Sequence, residues 1–248
     1  MSEKKILFPC IQLAKGDINP RVITCGDPER AEKIAALLDN SRCLKKNREY
    51  WTFAGTHKGI PVTVTSHGVG SGGAAIAFES LWRAGAKIII RVGTCGGMQP
   101  GVRAGSMVIV TAACREEGVT EKMIPLSYPA VADTEVVNAL SAAASQRGAA
   151  VHKGVVLTQA LFYPSFLENN LTLYAKANVL AMENEVASLL VVASTHNVKA
   201  GAILTADAPA FGMVDVEDYQ PDMEELAKAI QNQILIALDA IVAMDDNF

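Results

Sequence analysis

Apolar and polar positions alternate along this chain in two rhythms. Ile88-Ile89-Ile90 is a β-branched run without a polar break, the pattern of a strand buried on both faces. Residues 21–26, 51–53, 61–66, 105–112, 153–158 and 199–206 read as further strands, and 179–182 is a short apolar run. Between them, 31–38, 74–83, 134–147 and 186–194 have helical composition. A long amphipathic helix is expected over 222–244, with a heavily apolar last third suited to packing on a sheet or on another subunit. Asn47-Arg48-Glu49-Tyr50 is charged and reads as a loop. No repeat, linker or low-complexity segment divides the chain, so one α/β domain over 1–248 is expected.

The reactive residue types gather where these strands end, which is where open α/β sheets bind ligands. Arg91 closes the apolar strand just before Gly93-Thr94-Cys95-Gly96-Gly97. A buried guanidinium needs a partner, and a glycine-rich turn lets backbone N–H groups approach a ligand. Together these suggest half of an anion site; a structural ion pair beside an ordinary turn is the plainer alternative. Gly26-Asp27-Pro28 places a good N-cap and a first-turn proline after another strand, a second spot that favours anions. Arg30 lies one turn in and could equally be a surface residue.

Gly68, Gly70 and Gly73 spell a loose GxGxxG, but no acidic residue ends a second strand as a dinucleotide ribose would need. Close packing beside a pocket is the better use for that turn. Phe162 and Tyr163 follow another strand, where aromatics most often serve the core. Glu183 and Glu185 stand two residues apart before an apolar helix and would not share one helical face. Asp207 precedes Ala208-Pro209 and could be a turn or cap residue.

Composition narrows the choices. Half the residues are hydrophobic and 19% are charged, with a net charge of −4. That excludes a general nucleic-acid footprint and means that an anionic substrate depends on local arginines. The five cysteines show neither CxxC nor metal spacing, which predicts free thiols in a reducing cytoplasm and no metal site. Met-Ser-Glu-Lys-Lys opens without a signal-peptide core, and no apolar run reaches membrane-spanning length, so no membrane partner is expected.

Seven segments in order carry a family resemblance: Gly26-Asp27-Pro28-Glu29-Arg30, Asn47-Arg48-Glu49-Tyr50, Ser66-His67-Gly68-Val69-Gly70, Arg91-Val92-Gly93-Thr94-Cys95-Gly96, Phe162-Tyr163, Glu183-Asn184-Glu185-Val186-Ala187-Ser188 and Asp207. Together they resemble the hexameric nucleoside phosphorylases, a family that includes bacterial and protozoan purine nucleoside phosphorylases and the uridine phosphorylases. The resemblance implies a three-layer αβα domain with a central mixed, twisted sheet flanked by helices. It implies phosphorolysis of a nucleoside to free base and pentose 1-phosphate, with inorganic phosphate as co-substrate and no cofactor.

By the same resemblance, Gly26, Arg30, Arg91 and Thr94 hold phosphate, and Arg48 reaches across from a neighbouring subunit. Arginine suits this because its planar fork matches phosphate oxygens. Glu185 takes the ribose hydroxyls, with Asn184 in the position where the family has Met; in the alternative register, Met182-Glu183 fill those roles. Phe162, Tyr163 and Gly96 surround the base, and Asp207 donates a proton to it. A shared site implies self-association, in this family as a trimer of dimers.

The sequence also departs from its family. No arginine follows Asp207, unlike bacterial hexameric purine phosphorylases, and the segment through Asp218-Tyr219 looks more like the protozoan variety. Pro164-Ser165-Phe166-Leu167-Glu168 lacks the Gln-x-Arg with which uridine phosphorylases read uracil. Cys10 stands where family members place a His that meets the neighbour's 5′-hydroxyl, and a thiol is the weaker hydrogen-bond partner. Purine nucleosides are therefore the expected substrates. The alternatives are a uridine phosphorylase, a hydrolase of the same fold that would not need three arginines, and a non-catalytic nucleoside-binding protein.

Overall fold

A computed structural model describes residues 6–163, 166–167, 170–209 and 223–245. Pro164, Ser165, Glu168, Asp218, Tyr219 and Asp222, all used in the reading above, lie outside the described residues. The elements alternate as the pattern predicts: β1 (Arg21–Cys25), α1 (Pro28–Ala35), β2 (Asp39–Asn47), β3 (Tyr50–His57), β4 (Ile60–Ser66), α2 (Ser71–Ala84), β5 (Ile88–Gly97), β6 (Met107–Glu116), β7 (Ala130–Val131), α3 (Thr134–Gln146), β8 (Val151–Gln159), α4 (Leu171–Lys176), β9 (Ala181–Glu183), α5 (Val186–Thr195), β10 (Lys199–Pro209) and α6 (Met223–Ala243).

All ten strands join one mixed sheet in the order β10-β6-β8-β9-β5-β1-β4-β3-β2, with β7 on β6. β5 is its hinge. It pairs in parallel with β1 and β10 and antiparallel with β9. Since β10 also pairs with β6, and β6 with β8 and β8 with β9, the strands β5, β10, β6, β8 and β9 close into a ring. Helices cover both faces. Ile88, Ile90 and Val92 face a core with α1, α3 and α6, and Ile89 faces the other with α2 and α5.

The strand and helix limits differ from the pattern where packing, not periodicity, sets them. β2 is nearly all exposed, so its Asp-Asn-Ser-Arg sequence carries no alternation; edge pairing with β3 makes it a strand. Asn47 and Tyr50 belong to strands and only Arg48 and Glu49 turn between them. β5 does not stop at Arg91 but runs through the glycines to Gly97, held by β10 and β9. α1 begins at Pro28, capped by Asp27, whose carboxylate accepts from the Glu29 N–H at 2.9 Å. α4 has too short a pattern to be read from sequence.

α6 is long and apolar enough to cross a membrane. Here its apolar stripe of Ile234, Ile236, Ala237, Leu238, Ala240 and Ile241 is buried against the sheet and α3. Arg21 closes its last turn, donating to the carbonyls of Ile241 (3.1 Å) and Met244 (2.9 Å). On its outer side Asp239 joins three segments. It meets His57 and Lys58 of the β3–β4 hairpin at 2.8 Å each, and Arg147 after α3 through Nε (2.9 Å) and Nη2 (2.7 Å).

Partial burial pushes the Asp239 carboxyl up, but hydrogen bonds from His57, Lys58 and Arg147 outweigh it and hold the pKa at about 2, against 3.8 ordinarily. A depressed carboxyl stabilises the fold above its unfolded pKa and ceases to as pH falls through the folded one. Asp239→Asn is therefore expected to cost about 1–2 kcal/mol in denaturant unfolding at pH 7. The gap to the parent should close between pH 4 and pH 2.

Candidate active site

One cavity of about 580 Å³ opens at the carboxyl ends of β1, β5 and β10. Gly26 and Arg30 line it from β1 and α1, and Arg91, Thr94 and Gly96 from β5. Phe162, Asn184, Glu185 and Asp207, also foreseen in the sequence, line it as well. Met182 and Glu183, named in the alternative register, line it too; Cys95, Leu161, Pro209, Met223 and Leu226 had no separate signal, being ordinary residues of a sequence half hydrophobic.

At its centre is a buried charge cluster. The Arg91 guanidinium is 4% exposed, contacts the Glu185 carboxylate directly and lies 3.5 Å from Glu183. It gets there by folding back over Gly93. A Cβ on Gly93 would lie 1.6 Å from Arg91 Nη1, so only glycine leaves this path open. Gly97 is constrained likewise, since its Cβ would meet the Val102 carbonyl at 2.0 Å. The glycines of this segment thus serve close passage within a strand, and the N–H cradle expected from a turn is not formed there.

The two glutamates have different tasks. Glu183 ends β9 and caps α5: it accepts from the N–H groups of Glu185 (2.7 Å) and Val186 (2.9 Å) and from the Thr158 hydroxyl (2.5 Å). Burial pushes its carboxyl up, the Arg91 charge pulls it down, and the neighbouring Glu185 charge adds to the rise; the net direction is upward. Glu185 stands at the N-cap of α5 and turns into the cavity. Its Oε1 accepts from the Gly70 N–H at 2.6 Å, which gives the glycine-rich turn a purpose in the site. Burial alone would raise its pKa, but Arg91, His67 and the Gly70 N–H overcome this and lower it.

Asn184 lines the cavity through a fixed side chain, its Nδ2 donating to the Gln159 carbonyl at 2.7 Å. Ser71 Oγ, opening α2, donates to the Asn184 carbonyl at 2.5 Å and ties the two walls together. His67 sits behind them, fully buried, with Nδ1 2.8 Å from the Gly68 carbonyl. Burial and then the Arg91 charge depress its pKa to about 3, so the imidazole is neutral.

Asp207 lines the cavity from a register shift in β10, between Ala206 and Ala208. Burial raises its pKa; a hydrogen bond with the Thr94 hydroxyl and the Arg30 charge oppose the rise without cancelling it. A carboxyl displaced in this direction holds a proton more readily and can serve as an acid.

Three foreseen residues are not in this cavity. Cys10 and Arg48 lie together elsewhere: Asn47 Nδ2 donates to the Cys10 carbonyl at 2.7 Å, and Arg48 occupies the tight β2–β3 turn at φ 51°. Tyr163 is 73% exposed and meets Phe162 edge-on at 5.1 Å.

Removing Arg91 leaves two buried carboxylates without their cation. Arg91→Ala is expected to lose about 3–5 kcal/mol in denaturant unfolding. Arg91→Lys keeps the charge but not the planar fork, so it should stay folded and recover most of that loss in the same measurement.

The chain matches the family model described as "Phosphorylase superfamily" over residues 20–243. It is 38% identical over 231 residues to a purine nucleoside phosphorylase of Plasmodium vivax, covering 92% of this chain and 93% of that one. It is 39% identical over 200 residues to a uridine phosphorylase of Thermococcus kodakarensis, covering 76% of this chain and 72% of that one. The structure of a purine nucleoside phosphorylase from Toxoplasma gondii in complex with immucillin-H superposes with a TM-score of 0.92 at 32% identity, covering 98% of each chain. With the family model covering most of the chain, and relatives matching it over nearly their full length on the same fold, the chain is a member of the phosphorylase superfamily.

Proposed function

We propose that this chain catalyses the phosphorolysis of purine ribo- and deoxyribonucleosides, giving free base and pentose 1-phosphate. The observation that carries the reading is that one cavity gathers Arg30, Arg91, Thr94, Glu185 and Asp207. Arg30, Arg91, Thr94 and Gly26 hold inorganic phosphate, which is a co-substrate; no cofactor is required. Glu185 accepts the sugar hydroxyls, and Glu183 is left to cap α5. A phosphate oxygen then bonds to C1′ as the C1′–N9 bond breaks and its electron pair passes to the base. Asp207 gives its proton to N7, and the proton that phosphate carried is released, so the base departs neutral. Orienting the nucleophile under the sugar supplies much of the rate.

Two features favour purines over uridine, although a relative is named for uridine. Among the described residues lining the cavity there is no Gln, and the arginines are those of the phosphate side. The base side is apolar, with Leu161, Phe162, Met223 and Leu226 around the single acid Asp207. A hydrolase reading gains nothing from the paired arginines, and a binding protein has no use for an acid at the base.

The position of Cys10 and Arg48 away from the cavity supports a site completed by a second copy, hence a dimer or a hexamer built from dimers. The five cysteines, all free, fit a cytoplasmic salvage enzyme.

Base release from inosine or guanosine is expected to require phosphate, with uridine turned over at least tenfold less well. Release that runs equally well in phosphate-free buffer overturns the reading. Arg48→Ala and Asp207→Asn should each be inactive alone and regain activity when co-assembled, because one mixed site then has both residues intact. No recovery on mixing counts against the shared site.

A further inference from the structure

α6 has one fully buried polar side chain among its described residues, Gln233, set among Ile234, Ile236 and Ala237. An amide there is costly unless its groups are paired, and a methionine or leucine would fill the same space. Both hydrogens of its Nε2 are used: they go to the backbone carbonyls of Gly93 (2.7 Å) and Ile203 (2.6 Å). Its Oε1 has no partner. The helix therefore accepts an orphaned acceptor in return for one clamp across two strands.

Those strands are β5 and β10, held together in the register Val92↔Ile203 and Thr94↔Thr205. The clamp sits just below the point where they become the site. Gly93 is the residue over which Arg91 folds, on the opposite face of β5. One residue further is Thr94, and four beyond Ile203 is Asp207, both of which line the cavity. The ladder keeps its register through Ala206↔Cys95 and shifts at Asp207 itself, before Ala208↔Gly96, so the strand pairing alone does not fix the acid's orientation.

We propose that Gln233 is a positioning residue for proton transfer to the departing base, locking the ends of β5 and β10 so that Asp207 is held against the base. The inference rests on the acid role given to Asp207 above. It assigns a buried residue two turns below the cavity wall to the chemistry without contact with substrate.

The test compares Gln233→Met and the parent on two substrates. One is inosine, whose base must be protonated to leave. The other is its N7-methylated form, whose ring already carries the positive charge. Q233M should fold with an unchanged melting temperature or a higher one, lose about tenfold in kcat on inosine with little change in the KM for phosphate, and keep the parent's kcat on the methylated substrate. Gln233→Glu, neutral in this apolar setting, keeps one donor and should recover part of the loss; it also carries the comparison should Q233M not fold. Equal loss on both substrates, or no loss on either, overturns the proposal. Asp207→Asn on the same pair separates the two readings. If D207N shows the selective loss and the Gln233 variants do not, only the clamp fails. If D207N shows none, the acid role fails and the clamp with it.

Discussion

The site depends on one buried cation. Arg91 is placed on the central strand of the sheet, where a bare guanidinium would be expensive, and is made tolerable by two carboxylates. Much of the local architecture serves that balance. Gly93 clears the path of the side chain, β9 delivers Glu183, and the first turn of α5 delivers Glu185. Gly70 and Thr158 hold the carboxylates by hydrogen bonds, so neither is free to drift to solvent. His67 must stay neutral beside the same cation, which its burial ensures.

From this constraint the division of labour between the glutamates follows. A carboxylate that accepts two N–H groups at a helix start is bound in place and cannot also follow a substrate. Glu183 is in that state. Glu185 keeps one oxygen on Gly70 and the other on Arg91, so any group reaching it is felt at once by that arginine. The two halves of the cavity are thus linked by a charge-assisted hydrogen bond.

Much of this was legible in the sequence, and the exceptions have physical reasons. The β-branched run at Ile88, the capped start of α1 and the apolar α5 obey local rules, so pattern located them. Arg91, Glu185 and Asp207 stood out because charged residues at buried strand ends need a reason. β2 was invisible, since an exposed edge strand is defined by its neighbour's hydrogen bonds. The task of Gly93 was misread as backbone freedom because only the path of a side chain two residues earlier reveals it. Gln233 gave no signal at all: a glutamine in an amphipathic helix looks like a surface residue until the helix is docked. The ring closed by β10 and β6 depends on long-range pairing that no local pattern encodes.

Charge counting gives a physical reason for a second subunit at this site. Two arginines and four carboxyl groups line the cavity among the described residues. The global charge is also negative. A phosphate dianion entering such a place meets more repulsion than two guanidinium groups offset, especially as Arg91 already serves Glu185. Burial moves both Glu183 and Asp207 upward, which eases part of this repulsion. The rest calls for another cation. Arg48, held on a tight turn beside Cys10 and outside its own cavity, is such a group. In the proposed assembly, its arrival from a neighbour would bring positive charge to a cavity that within one chain holds more carboxyl groups than arginines.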